Sequence, residues 1–65
     1  MITIQSKINP EYSVTIYSHS KYGKGNGYYF HNSDNVGISP LELKEAGQGA
    51  VVKELKPVAE KLWLA

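Results

Sequence analysis

The hydrophobic period of this chain changes once, at Ser39-Pro40, and that change confines it to a sheet followed by helices. Before it, apolar residues alternate with polar ones in steps of two: Ile2, Ile4 and Ile8 against Thr3, Gln5 and Lys7, then Tyr12, Val14 and Ile16 against Ser13, Thr15, Tyr17 and His19. A two-residue alternation places one set on a buried sheet face and the other on the opposite face. After Pro40 the apolar residues recur at helical spacing, with Val51, Leu55, Val58 and Leu62 on one stripe flanked by Val52, Ala59 and Trp63, and Lys53, Glu54, Lys56, Glu60 and Lys61 opposite.

The punctuation between these segments carries its own mechanisms. Asn9-Pro10-Glu11 presets a type I turn, because the proline ring already holds the required φ. Asn26-Gly27 supplies two residues that tolerate positive φ at the tip of a second hairpin, before the strand Tyr28-Tyr29-Phe30-His31. In Ser39-Pro40-Leu41-Glu42, the serine is placed to cap the N–H of Glu42 and Glu42 to reach back to the N–H of Ser39. Pro40 takes the first helical position, where no N–H is needed, and Ile38 and Leu43 have the spacing of a hydrophobic staple. Gly47 is the natural terminator of that first helix. Pro57 lies on the wet side of the second, which is expected to bend or to split at Lys56-Pro57.

The expectation is therefore one α+β domain over residues 1–65. A three-stranded antiparallel meander (about 2–8, 12–20 and 28–32) is packed on one face by a short helix (40–46) and a proline-bent C-terminal helix (50–64). Leu41, Val51, Leu55, Val58 and Leu62 are expected against the isoleucine and valine face with Tyr28 and Phe30. One helical layer covers only one sheet face. Thr3, Thr15, Tyr17, His19, Tyr29 and His31 are left on the other.

Sixty-five residues leave room for a single small core, and such domains often need a staple. There is no cysteine, which excludes disulfides and thiolate metal sites and makes self-association or a bound partner the expected staple. Seven lysines against six acids give a net charge of +1, too small for binding driven by phosphate neutralisation or for mimicry of an acidic polymer. The distribution is uneven: between Tyr12 and Ser33 there are no acids, only Lys21, Lys24 and the two histidines. No apolar run has the length of a membrane span, and the N-terminal residues lack a signal-peptide pattern, so a cytoplasmic location is expected. The chain begins with Met1, shows no linker or targeting segment, and reads as a complete small open reading frame.

Candidate chemistry is sparse. Ser18 or Ser20 with His19 or His31 and Asp34 supplies the residue types of a catalytic triad, without a nucleophile elbow or an oxyanion donor, and no enzyme is expected. His19, His31 and Asp34 are the one conceivable zinc set, but they have no motif spacing; surface histidines on strands, with no metal or other cofactor, are expected instead. The loop 32–37 has Val36 where a calcium loop needs an oxygen ligand and lacks the closing glutamate. The glycines at 23, 25 and 27 precede a strand rather than a helix, against a phosphate cradle. Residues 39–56 have the outline of a helix-turn-helix, yet the exposed face with Lys53, Glu54, Lys56 and Pro57 offers no arginine, asparagine or glutamine to read base edges. Two acids, Glu54 and Glu60, would face phosphate, and two packed core helices are expected instead.

Lys24-Gly25-Asn26-Gly27-Tyr28-Tyr29 distantly resembles the basic-glycine-aromatic strand of RNA-recognition and cold-shock domains. That resemblance implies aromatic stacking on single-stranded nucleic acid, here by Tyr17 and Tyr29 with Lys21 and Lys24 nearby. The sequence departs from the pattern at Asn26, where those families carry an aromatic, and no second aromatic motif stands on the first strand.

Two functions follow as expectations. The first is a non-catalytic inhibitor or regulator that blocks a larger protein, as many small phage and mobile-element proteins do. Its contact surface would be Tyr17, His19, Lys21, Tyr22, Lys24, Tyr29 and His31, with the aromatic residues as anchors. The alternative is a single-stranded nucleic-acid binder using the same surface. A homodimer joined through an exposed sheet edge or Trp63 is a third arrangement, and no membrane partner is expected.

Overall fold

The computed structural model describes residues 2–17 and 27–64. Among these residues four strands and two helices follow in chain order: β1 (Ile2–Gln5), β2 (Tyr12–Ile16), β3 (Tyr28–Asn32), β4 (Gly37–Ile38), α1 (Pro40–Glu45) and α2 (Gly49–Leu64). The sheet is an antiparallel meander in the order β1-β2-β3-β4. This is the expected α+β fold with one strand more than the sequence suggests. β4 has only two residues, too short for any alternation to show, and it is created by a turn rather than by a hydrophobic pattern.

That turn is built by Asn32. Its side-chain Oδ1 accepts the N–H groups of Asp34 (2.9 Å) and Val36 (3.1 Å), while its own N–H donates to the Val36 carbonyl (3.1 Å). Asn35 takes the left-handed conformation (φ 62°), which asparagine tolerates better than most residues. The chain reverses and lays Ile38 opposite Phe30.

β1 is shorter than its sequence pattern. The strand ends at Gln5; Ser6, of the same parity as Ile2 and Ile4, is still buried, and the chain then leaves the sheet toward the Asn9-Pro10 turn. Ile8, read as a core residue, consequently lies exposed. The Asn9-Pro10 turn forms as expected: the Tyr12 N–H donates to the Asn9 carbonyl (3.0 Å), and the Asn9 side chain accepts the N–H of Glu11 (3.2 Å). The register then puts Ile2, Ile16 and Tyr28 in one row and Ile4, Val14, Phe30 and Ile38 in the next, all on one face.

The helices cover that face. Leu43 of α1 and Val51, Val52, Leu55 and Ala59 of α2 form the core with Val14, Ile16, Tyr28 and Phe30. The buried stripe of α2 is rotated toward its expected Val52 and Ala59 flank, both of which are buried, and Val58 is left exposed. Leu41 also lies exposed, because two residues of helix turn it roughly 200° away from the buried Leu43. Pro57 occupies the outer side of an α2 that runs unbroken from Gly49 to Leu64, so the helix does not split there. Its missing N–H leaves a carbonyl on the wet side, where water supplies the donor. Between the helices, Gly47 (φ 80°) closes α1 in a Schellman turn: Gln48 N–H donates to the Leu43 carbonyl (2.7 Å) and Gly47 N–H to that of Lys44 (3.1 Å).

Ser39 caps α1 as its sequence suggests, with its Oγ accepting the Glu42 N–H at 3.1 Å. The reciprocal contact differs from the expectation. The Ser39 hydroxyl itself donates to Glu42 Oε1 (3.3 Å).

Candidate functional site

No described helix packs on the outer face of the sheet, and its composition follows directly from the register. Thr3, Thr15 and Tyr29 form one row; Gln5, Ser13, His31 and Gly37 form the next. Tyr17 extends the face past the end of β2, where its N–H donates to the Gly27 carbonyl (2.8 Å).

The polar side chains at the base of this face bond to one another. The His31 Nδ1 sits 3.1 Å from the Asn32 carbonyl oxygen, which only accepts, so Nδ1 carries a proton. In the neutral ring Nε2 is then an acceptor and takes the hydroxyl proton of Thr15 at 2.7 Å. Thr15 Oγ1 in turn accepts from Thr3 Oγ1 at 2.9 Å. A chain of three directed bonds thus crosses β1, β2 and β3.

This ladder changes the standing of His31. The sequence suggests a surface histidine, but His31 is 7 % exposed and Thr15 3 % exposed, although no described helix covers them. Neighbouring side chains on the same face do so: the Tyr29 ring lies 5.1 Å from the His31 ring. Both ring nitrogens are occupied, so His31 supports the surface instead of presenting it. Among the described residues no cluster of metal-ligating side chains exists.

What the face presents is aromatic. Tyr17 is 53 % exposed, and its ring centroid lies 5.9 Å from that of Tyr29, with the planes tilted by 47°. Tyr29 is half-buried and anchored at its far end, where its hydroxyl donates to Asn35 Oδ1 (3.3 Å). Two tyrosines, one fixed and one more exposed, therefore stand over a hydrogen-bonded polar floor. Of the residues expected at the contact surface, Tyr17, Tyr29 and His31 come together. His19, Lys21, Tyr22 and Lys24 lie outside the described residues, as does the glycine-rich tip apart from Gly27. The sequence pattern gave no role to Asn35. It becomes part of the site only through the turn that makes β4.

A cavity of about 370 Å³ opens at the end of β4, lined by Tyr28, Tyr29, Phe30, Ile38, Pro40 and Lys56 among others, so that Tyr29 borders both it and the outer face. Its lining mixes apolar and polar groups, and the Ser39 hydroxyl among them is engaged in capping α1. No described helix is long and apolar enough to cross a membrane. Comparison with family models, with curated proteins and with solved structures returned no match.

Proposed function

We propose that the chain is a small non-catalytic regulator or inhibitor that binds a larger protein through the outer sheet face centred on Tyr17 and Tyr29. The observation that carries this reading is the pairing of these rings over the bonded Thr3–Thr15–His31 ladder. A partner that covers the face gains aromatic area and strands none of the three ladder side chains, because these already satisfy each other. Tyrosine also brings large contact area at little cost in side-chain freedom. A phage or mobile-element origin and a cytoplasmic site of action belong to the same reading; they rest on chain size and composition.

The test is affinity capture from the native host, with and without nuclease, using the wild type and the Tyr17→Ala, Tyr29→Ala and doubly substituted chains. A protein partner is expected to survive nuclease and added salt, and its affinity to fall by on the order of thirtyfold or more on loss of an anchoring tyrosine. Circular dichroism checks that the variants remain folded. Retention of the partner by the folded double variant overturns the site. Loss of the captured material on nuclease treatment, with a steep fall in binding as salt rises, replaces the reading with single-stranded nucleic-acid binding.

A further inference from the structure

The two edges of the sheet are built differently. On the β4 side the edge is guarded: the strand has two residues, only Gly37 of the two turns its main-chain groups outward, and after Ser39 the chain enters α1 at Pro40, which has no N–H. Brevity and proline are standard defences against strand addition. On the β1 side neither appears. Ser6 N–H donates to the Tyr12 carbonyl (2.9 Å), and the alternation of an antiparallel ladder then turns the main-chain groups of Ile4 and Ile2 toward β2 and those of Thr3 and Gln5 outward. The side chains of both outward residues are engaged within their own sheet, Thr3 with Thr15 and Gln5 with the Pro10 carbonyl (2.7 Å). They do not fold over the edge.

The strand Ile2-Thr3-Ile4-Gln5 holds no charge, no proline and no glycine. Ile2 points to the core side yet is 49 % exposed, since α2 packs over β2 and β3 and leaves β1 thinly covered. An uncharged edge meets a second copy of itself without like-charge repulsion. We infer that β1 is a self-association edge, and that two copies of this chain join antiparallel through it into one eight-stranded sheet.

The register follows from the same geometry. Thr3 and Gln5 are the outward-facing residues, so a two-fold axis through Ile4 sets Thr3 opposite the partner's Gln5 and Ile4 opposite the partner's Ile4. Four main-chain hydrogen bonds form, and the Ile4 side chains meet on the core face, extending two small cores into one. So short a pairing buries too little for an obligate dimer, and the association is weak and concentration-dependent. The aromatic faces of both copies lie on the same side of the joined sheet, which lets a dimer present two Tyr17–Tyr29 pairs at once. The edge pairing does not depend on what those pairs bind.

Sedimentation equilibrium of the wild-type chain across a wide concentration range is the test. The expected result is a reversible rise from the monomer mass to twice that mass. Gln5→Pro removes one outward donor from each copy without touching the ladder to β2, and is expected to weaken association on the order of tenfold. In the wild type, the exchange of the Thr3 and Gln5 amides is expected to slow as concentration rises, while the exchange of other exposed amides stays constant. A monomer at every concentration overturns the inference, and so does a dimer in which the Thr3 and Gln5 amides stay unprotected. The amide measurement needs no variant, so a Gln5→Pro chain that fails to fold does not blunt the test.

Discussion

The hydroxyl of Ser6 donates to Glu54 Oε1 at 2.6 Å, joining the end of the first strand to the middle of the last helix across 48 residues of chain. The second carboxylate oxygen accepts the Lys7 N–H (2.9 Å), and Ser6 Oγ also accepts the N–H of Asn9 (3.0 Å). Ser6 is buried, so its hydroxyl has no water to fall back on. Ser6→Ala is expected to cost about 1–3 kcal/mol, because the Asn9 N–H and one carboxylate oxygen both lose their partner. Equilibrium denaturation measures it. An unchanged midpoint would mean that the clamp adds nothing beyond local packing.

The same clamp sets a pH dependence. The Ser6 hydroxyl first, and then the Lys7 N–H, hold the Glu54 carboxyl below its ordinary value of 4.5. A carboxyl with a depressed value in the fold binds its proton more readily when unfolded. Its contribution is therefore present above about pH 4.5 and fades as pH falls through the lower folded value. Denaturation midpoints of the wild type and Glu54→Gln are expected to differ at neutral pH and to converge in acid. A gap that stays constant with pH would show that ionisation of Glu54 is irrelevant to the clamp.

Gly47 offers a cleaner backbone test. A Cβ placed there meets nothing within 4 Å, so Gly47→Ala costs only the conformational penalty of its φ of 80°. That penalty is about 1–2 kcal/mol for a residue held in the left-handed region. Gly37→Ala also meets nothing within 4 Å and has no positive φ, and it is expected to change stability far less in the same thermal melts. Equal effects at the two positions would remove the Schellman turn as the reason for glycine at 47.

Much of this fold was legible in the sequence because its signals are local. The Asn9-Pro10 turn, the Ser39 cap, the Gly47 terminator and the two-residue alternation each act within a few residues, and each appears. Ile8, Leu41 and Val58 were misplaced for a different reason. Their burial depends on where a strand ends and how a helix is rotated against the sheet, which packing decides. The Tyr17–Tyr29 side of the sheet was legible from parity alone, whereas the burial of His31 was not. It needs the cross-strand alignment of Thr3, Thr15 and Tyr29, a long-range property with no local signature.

The Thr15–His31 bond makes a prediction about that ladder. Thr15→Val keeps the shape of the side chain but removes the donor that His31 Nε2 requires, at 2.7 Å in a buried position. The expected loss is about 1–3 kcal/mol. In the wild type, nitrogen NMR of the neutral ring is expected to show the proton on Nδ1, held by the Asn32 carbonyl. A proton on Nε2 instead would reverse the ladder and place the Thr15 hydroxyl as its acceptor.

Tyr28 links the sheet to the last turns of α2 and gives the alkaline counterpart to Glu54. Its ring packs edge-on against Trp63 (6.0 Å between centroids), and its hydroxyl donates to Glu60 Oε1 at 3.2 Å. Burial, and then the Glu60 carboxylate, raise the phenol above its ordinary value of 10. A group whose value is raised in the fold contributes stability that is complete below about pH 10 and is lost as pH rises through the folded value. Ultraviolet titration is therefore expected to find a tyrosine step above pH 10, and Tyr28→Phe to remove that step. Glu60→Gln is expected to lower it only in part, because burial is the larger cause and the ring stays packed against Trp63. If Glu60→Gln restores the ordinary value in full, the carboxylate rather than the packing governs Tyr28.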